Sequence, residues 1–175
     1  MAQHIIVVEY DPKWEDMFNI EAQIIKDILS DNCVEVFHIG SSAVKGLKAK
    51  PIIDIMPVVK NLYEVDKLSS EFEKVGYEYL GEFGMEGRRY MRKGGDNRSH
   101  QIHIFQESDT SNINRHLAVR DFLRKDENFR LEYGNLKERL AKRYPYDIEK
   151  YCDGKDAFVK NLEKIALNWK SDLNK

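Results

Sequence analysis

Two apolar runs joined by a short polar segment constrain this chain more than any other feature. Residues 34–39 are mostly apolar and lead into Gly40-Ser41-Ser42, and residues 51–59 carry a single carboxylate, Asp54, in their middle. Bounded apolar runs of this length read as buried strands. A carboxylate inside one is costly unless a metal ion or a hydrogen-bond partner faces it. A Gly-Ser turn after a strand offers close backbone approach and free N–H groups, which suit phosphate. The pair predicts a phosphate cradle beside a metal-binding acid.

The rest of the pattern supplies a frame for that pair. Asp11-Pro12 provides a cap residue and a first-turn proline, and Trp14, Met17, Phe18, Ile25, Ile28 and Leu29 recur on one helical face. Residues 41–47 read as a short helical turn. Asn61 and Glu64 form a capping-box pattern ahead of one amphipathic helix marked by Leu62, Val65, Leu68, Phe72 and Val75, with Gly76 as its C-terminal cap. Residues 77–81, 88–92 and 100–105 read as three further strands, and 94–97 as a hairpin turn between the last two. From Asn112 onward the spacing is helical, with Gly154 as an expected break in the last run. These elements predict an α+β domain over residues 1–175, with 1–107 as the sheet-containing core and 108–175 as a helical tail.

Composition narrows the function classes. The 175 residues are 42% hydrophobic and 33% charged, and no apolar run approaches the length of a membrane span. The N-terminus lacks a basic region followed by an apolar core, so a cytoplasmic protein is expected. Cys33 and Cys152 have no metal-ligand spacing and are expected to be reduced. A net charge of −2 implies no broad nucleic-acid surface and leaves room for a local basic pocket.

The stretches His38-Ile39-Gly40-Ser41-Ser42-Ala43-Val44, Gly46-Leu47 and Ala49-Lys50-Pro51-Ile52-Ile53-Asp54-Ile55 resemble the nucleotidyltransferase superfamily. Its signature is Gly-Ser or Gly-Gly, a short helix, then Asp-x-Asp or Asp-x-Glu on the next strand. With Asp11-Pro12, Trp14, His100-Gln101-Ile102-His103-Ile104, Arg120-Asp121-Phe122-Leu123-Arg124, Tyr133-x-x-Leu136-Lys137 and Lys155, the chain more narrowly resembles the GrpB family. The resemblance implies a small mixed sheet with flanking helices and a helical C-terminal tail. It also implies a nucleotide or other phosphorylated small molecule as ligand and Mg2+ or Mn2+ as cofactor. An active member would transfer a nucleotidyl group to a hydroxyl acceptor.

Roles follow residue by residue. Gly40, Ser41 and Ser42 are expected to hold phosphate, with Lys50 as a nearby point charge. Asp54 is the expected metal ligand and catalytic acid. Strand alternation puts Met56 on its face, where the superfamily usually carries a second acid, and is expected to open Met56 onto the same pocket. His103 stands where a third acid usually comes, and is expected to face Asp54 as a base or metal ligand. Arg88 and Arg89 must point to opposite faces, and the resemblance selects Arg89 for the phosphates. It likewise brings Arg120 and Lys137 of the tail over the nucleotide. His38 reads as structural, His116 carries little signal, and Tyr151 reads as core. Two other readings stand beside transfer: a non-catalytic binding or regulatory module that lost the second carboxylate, and a metal-dependent hydrolase using Asp54 and His103.

Overall fold

The structure, a computed structural model, describes residues 3–175. The Asp11 carboxylate accepts the Lys13 N–H at 2.9 Å and starts helix α1 (Lys13–Leu29). Strand β1 (Cys33–Ile39) follows, then a single 3-10 turn (Ser41–Ala43) and strand β2 (Ile53–Val59).

The expected helix after β2 is two short ones, α2 (Leu62–Asp66) and α3 (Ser69–Lys74). The Asn61 side chain caps α2 by accepting the Tyr63 N–H. Its own backbone N–H goes to Asn32, and Glu64 pairs with Lys67, so the capping box does not close. Asp66, at the end of α2, is held by Arg89 and the chain turns there. Gly76 (φ 98°) then leads into β3 (Tyr77–Tyr79), followed by β4 (Arg88–Lys93) and β5 (His100–Gln106).

Helices α4 (Thr110–Lys125), α5 (Glu127–Arg143) and α6 (Ile148–Leu173) form the tail, capped by the side chains of Asp109, Asp126 and Asp147. Gly154 lies inside α6 and does not break it. A Cβ there would collide with Leu140 Cδ2 of α5, so the glycine serves the close approach of the two helices.

The five strands run in the order β1-β2-β5-β4-β3, with β2 and β5 parallel and the other neighbours antiparallel. One face of the sheet carries Val36, Ile53, Ile55, Met91, Ile102 and Ile104, and packs in a single core with Trp14 and Ile25 of α1, Val65 of α2 and Phe72 of α3. On the other face Met56 and Phe105 cluster with Ile39 and meet Ile113 and Leu117 of α4. The tail has its own core around Ala118, Leu123, Tyr133 and Leu162, into which Val44 and Leu47 insert from the loop after the Gly-Ser turn. That loop is thereby clamped between sheet and tail.

Glu21 of α1 is a charged group inside the first core. Its carboxylate accepts the Tyr77 hydroxyl at 2.9 Å and the Lys93 ammonium at 2.5 Å, tying α1 to β3 and β4. Removing it leaves both donors without that acceptor. Glu21→Ala is expected to cost about 3 kcal/mol, read as a lowered midpoint in urea unfolding.

Candidate functional site

Gly40 turns the chain out of β1 with φ 71° and ψ −170°. The antiparallel register places Ile39 opposite Asp54, so the turn lies against the Asp54 side chain. A Cβ at position 40 would sit 2.7 Å from Asp54 Oδ2, so only a glycine lets the carboxylate rest there. Ser42, fully buried, accepts the Asp54 N–H in a long 3.5 Å bond and lies 3.0 Å from His38 Nε2. Burial lowers His38 to about 4, so the ring is neutral near pH 7 and Nε2 can accept the Ser42 hydroxyl proton.

Beside this turn is a cavity of about 140 Å3, lined among others by Ser41, Lys50, Asp54, Lys137, Tyr151 and Lys155. Lys137 of α5 is only 2% exposed. Its ammonium donates to Ser41 Oγ at 2.7 Å and stands 4.3 Å from the Tyr133 ring centroid. Burial, then the neighbouring Lys155 and Lys50, hold Lys137 well below an ordinary lysine, against the pull of Asp54. Lys50 is lowered for the same reasons, burial first and Lys155 second. Lys50 and Lys155 lie 5.3 and 5.4 Å from the Tyr151 ring centroid. Among the described residues no carboxylate pairs with any of these three lysines, and the buried Tyr151 hydroxyl has no partner. Three ammonium groups thus face one carboxylate around a small void.

His103 reaches Asp54 from the adjacent strand, with Nε2 3.3 Å from Oδ1. Its other ring nitrogen is buried without a partner. His116 of α4 packs beside it, ring centroids 5.9 Å apart. Burial first, then the charges of Arg115 and His103, lower His116 to about 3.

Several expected positions move. Met56 does share the Asp54 face, but it is fully buried with Ile39 and Phe105 where α4 lies on the sheet, so it does not open onto the cavity. Arg89 points to the opposite face. Its partner across the sheet is Ile104, and its guanidinium grips Asp66 at 2.7 and 3.2 Å, away from the Gly40-Ser41 turn. Arg88 is on the Asp54 face and is spent on the carbonyls of Glu82 and Phe83. Arg120 pairs with Asp121 at 2.9 Å and donates to the His38 carbonyl at 3.2 Å, lining a different cleft beyond Ser42. Tyr151, Lys155 and Gln101 line the cavity without having been expected there. The spacing of Tyr151 and Lys155, four apart on one helix, was the available signal. Among the described residues no group of three His, Cys, Asp or Glu could hold a metal ion.

Comparison with known proteins is consistent with this geometry. The sequence matches the model of a family described as "GrpB protein" over residues 4–164. It is 36% identical to the UPF0157 protein YqkA of Bacillus subtilis over 96% of this chain and 49% of that one, so it spans about half the length of that relative. A crystal structure of the conserved protein GrpB from Enterococcus faecalis superposes with a TM-score of 0.92 at 50% identity, covering 94% of this chain and 99% of that one. Cid1 poly(U) polymerase, in a MgGTP-bound structure, superposes at 0.53 with 16% identity over 78% of this chain and 45% of that one. That last likeness shows the nucleotidyltransferase fold alone.

Two outcomes are expected. Gly40→Ala forces a side chain into a backbone conformation essentially confined to glycine, costing about 1–3 kcal/mol, and displaces the Asp54 carboxylate. Both show as a lower melting temperature with a shifted His103 ring resonance in NMR. His38 and His116 are neutral in the fold but take up protons when unfolded below about pH 6.5. The unfolded state then binds more protons, so stability should fall as pH drops from about 6.5 toward about 4, and His38→Phe should flatten that slope in chemical unfolding.

Proposed function

This chain belongs to the GrpB family, and we propose that it binds the phosphate chain of a nucleotide, or of another phosphorylated small molecule, in the Lys50/Lys137/Lys155 cavity beside Asp54. The observation that carries the reading is Lys137. A buried ammonium without an ion-pair partner is destabilising, and folds keep one where a ligand supplies the anion. A phosphate oxygen in the cavity would complete it. Ser41 accepts from Lys137, so its own hydroxyl proton is free for the same phosphate, and the unpartnered Tyr151 hydroxyl is a further donor. At about 140 Å3 the cavity is smaller than the ~300–1,000 Å3 of small-molecule sites, so it takes the phosphate portion and leaves the rest of the ligand outside.

Asp54 is the residue that would hold a Mg2+ or Mn2+ ion arriving with the phosphates, completed by phosphate oxygens and water. Such an ion would neutralise phosphate charge. A second ion would need an acid at position 56, where Met56 is sealed under α4. In its place the lysines carry the charge, and binding is expected to exceed transfer. The His103–Asp54 contact favours a slow transfer as the second reading. With Nε2–H turned to Asp54, His103 would take the proton of an acceptor hydroxyl at its unpartnered Nδ1 as the hydroxyl oxygen bonds to the α-phosphorus and pyrophosphate leaves. Water as the acceptor makes the same step a hydrolysis.

Thermal unfolding with ATP or GTP, with and without Mg2+, tests the proposal. At a hundredfold excess over the dissociation constant the ligand should stabilise the fold by about 2.7 kcal/mol. Lys137→Met should raise the melting temperature of the free protein by removing a buried charge, and abolish the nucleotide shift. Asp54→Asn should remove only the Mg2+-dependent part. Binding should also draw in protons, because burial lowers Lys50 and Lys137 and an anion raises them again. Affinity should then strengthen as pH falls below the ordinary lysine range. Absence of a shift with any nucleotide or polyphosphate would sink the reading.

A further inference from the structure

Beyond the Ser41–Ala43 turn from the lysine cavity lies a second cleft, of about 490 Å3, between α1, the edge strand β1 and α4. That volume lies within the ~300–1,000 Å3 of small-molecule sites. The edge of β1 is already satisfied here. Arg120 takes the His38 carbonyl at 3.2 Å, and the Glu35 carboxylate takes the Val36 N–H at 2.9 Å, which argues against an added peptide strand.

What the cleft offers instead is cationic and aromatic. Arg124, one turn after Arg120 on α4, anchors its Nε on the Ala43 carbonyl at 3.0 Å. Among the described residues no carboxylate forms an ion pair with Arg124, so its two outer nitrogens are available in an orientation set by that anchor. Arg120 is held differently, its Nε on the Asp121 carboxylate at 2.9 Å and its Nη1 on the His38 carbonyl, so Arg124 is the less matched of the two charges. Lys45 is exposed on the rim, and Glu15 is the opposing charge. The rings of Tyr10 and Phe37 line the walls, and the neutral His38 ring is stacked on Phe18 with centroids 4.6 Å apart. Anchored guanidinium groups present parallel N–H donors to the oxygens of a carboxylate or phosphate.

We propose that this cleft is a second ligand site, for a small molecule that carries an oxyanion head group on a planar ring. The head group meets Arg124, Arg120 and Lys45, and the ring packs on Tyr10 and Phe37. The inference goes beyond the phosphate cavity and does not rest on it. The two meet only at Ser42, which lines both.

NMR titration of the isotope-labelled full chain with phenyl phosphate and, separately, benzoate tests it. Saturable amide shifts should concentrate on residues 36–38, 42–45 and 120–124. Arg124→Gln should weaken binding about tenfold, the loss of one charge-assisted contact, while Lys137→Met leaves it unchanged. Response to phenyl phosphate alone assigns a phosphate ester, and response to both assigns oxyanions in general. If Arg124→Gln fails to fold, Lys45→Gln on the exposed rim carries the same comparison with a smaller loss. Shifts confined to the surroundings of Lys50, Lys137 and Lys155, or none that saturate, would overturn the proposal. Either result leaves the nucleotide test with Lys137→Met independent.

Discussion

At Gly40 the chain must carry no side chain, and the rest of the site is arranged around that requirement. The positive φ turns the chain out of β1, and the missing Cβ leaves the space that the Asp54 carboxylate fills. The β1–β2 register sets which residue arrives there. The loop that follows pushes Val44 and Leu47 into the core of the tail helices, so the turn, the sheet and the tail are locked at one point. Lys137 then reaches Ser41 from α5 because the tail is packed onto that loop.

Two buried charges, Glu21 and Lys137, are handled in opposite ways. Glu21, between α1 and the sheet, is matched by Lys93 and Tyr77, as a structural charge must be to offset its desolvation. Lys137 is as buried, and among the described residues it contacts a hydroxyl and a ring but has no ion-pair partner. A fold selected for stability alone would not keep an unmatched ammonium next to two further lysines and an orphaned tyrosine hydroxyl. The contrast within one chain is why the lysine cavity reads as a ligand site and the Glu21 network as scaffold.

Strand parity explains how the same sheet serves both ends. Ile53 and Ile55 face α1, while Asp54 and Met56 face the tail. Along that second face the helical layer is uneven. It closes over Met56 through Ile113 and Leu117 and leaves Asp54 beside the cavity. Two residues on one strand face thus end in different environments, one dry and one ionic.

The mixed sheet with a helical tail, the Gly-Ser turn and the strand that carries Asp54 were legible in the amino-acid sequence, because each is set by local periodicity, turn chemistry and side-chain alternation. The place of His103 followed from parity together with the resemblance. The family was legible in the motifs for the same reason. Other features depended on what packs against what. Alternation could state that Arg88 and Arg89 diverge, but only the pairing of β4 with β5 and the position of Asp66 decide which one faces the site. Nothing local marks Met56 as sealed, since the seal is a helix more than fifty residues later. Tyr151 and Lys155 on α6, and Lys137 on α5, meet Lys50 only once the tail folds back onto the loop. Local patterns determine elements and faces. The convergence of charges from distant elements, which is where chemistry resides, is decided by packing alone.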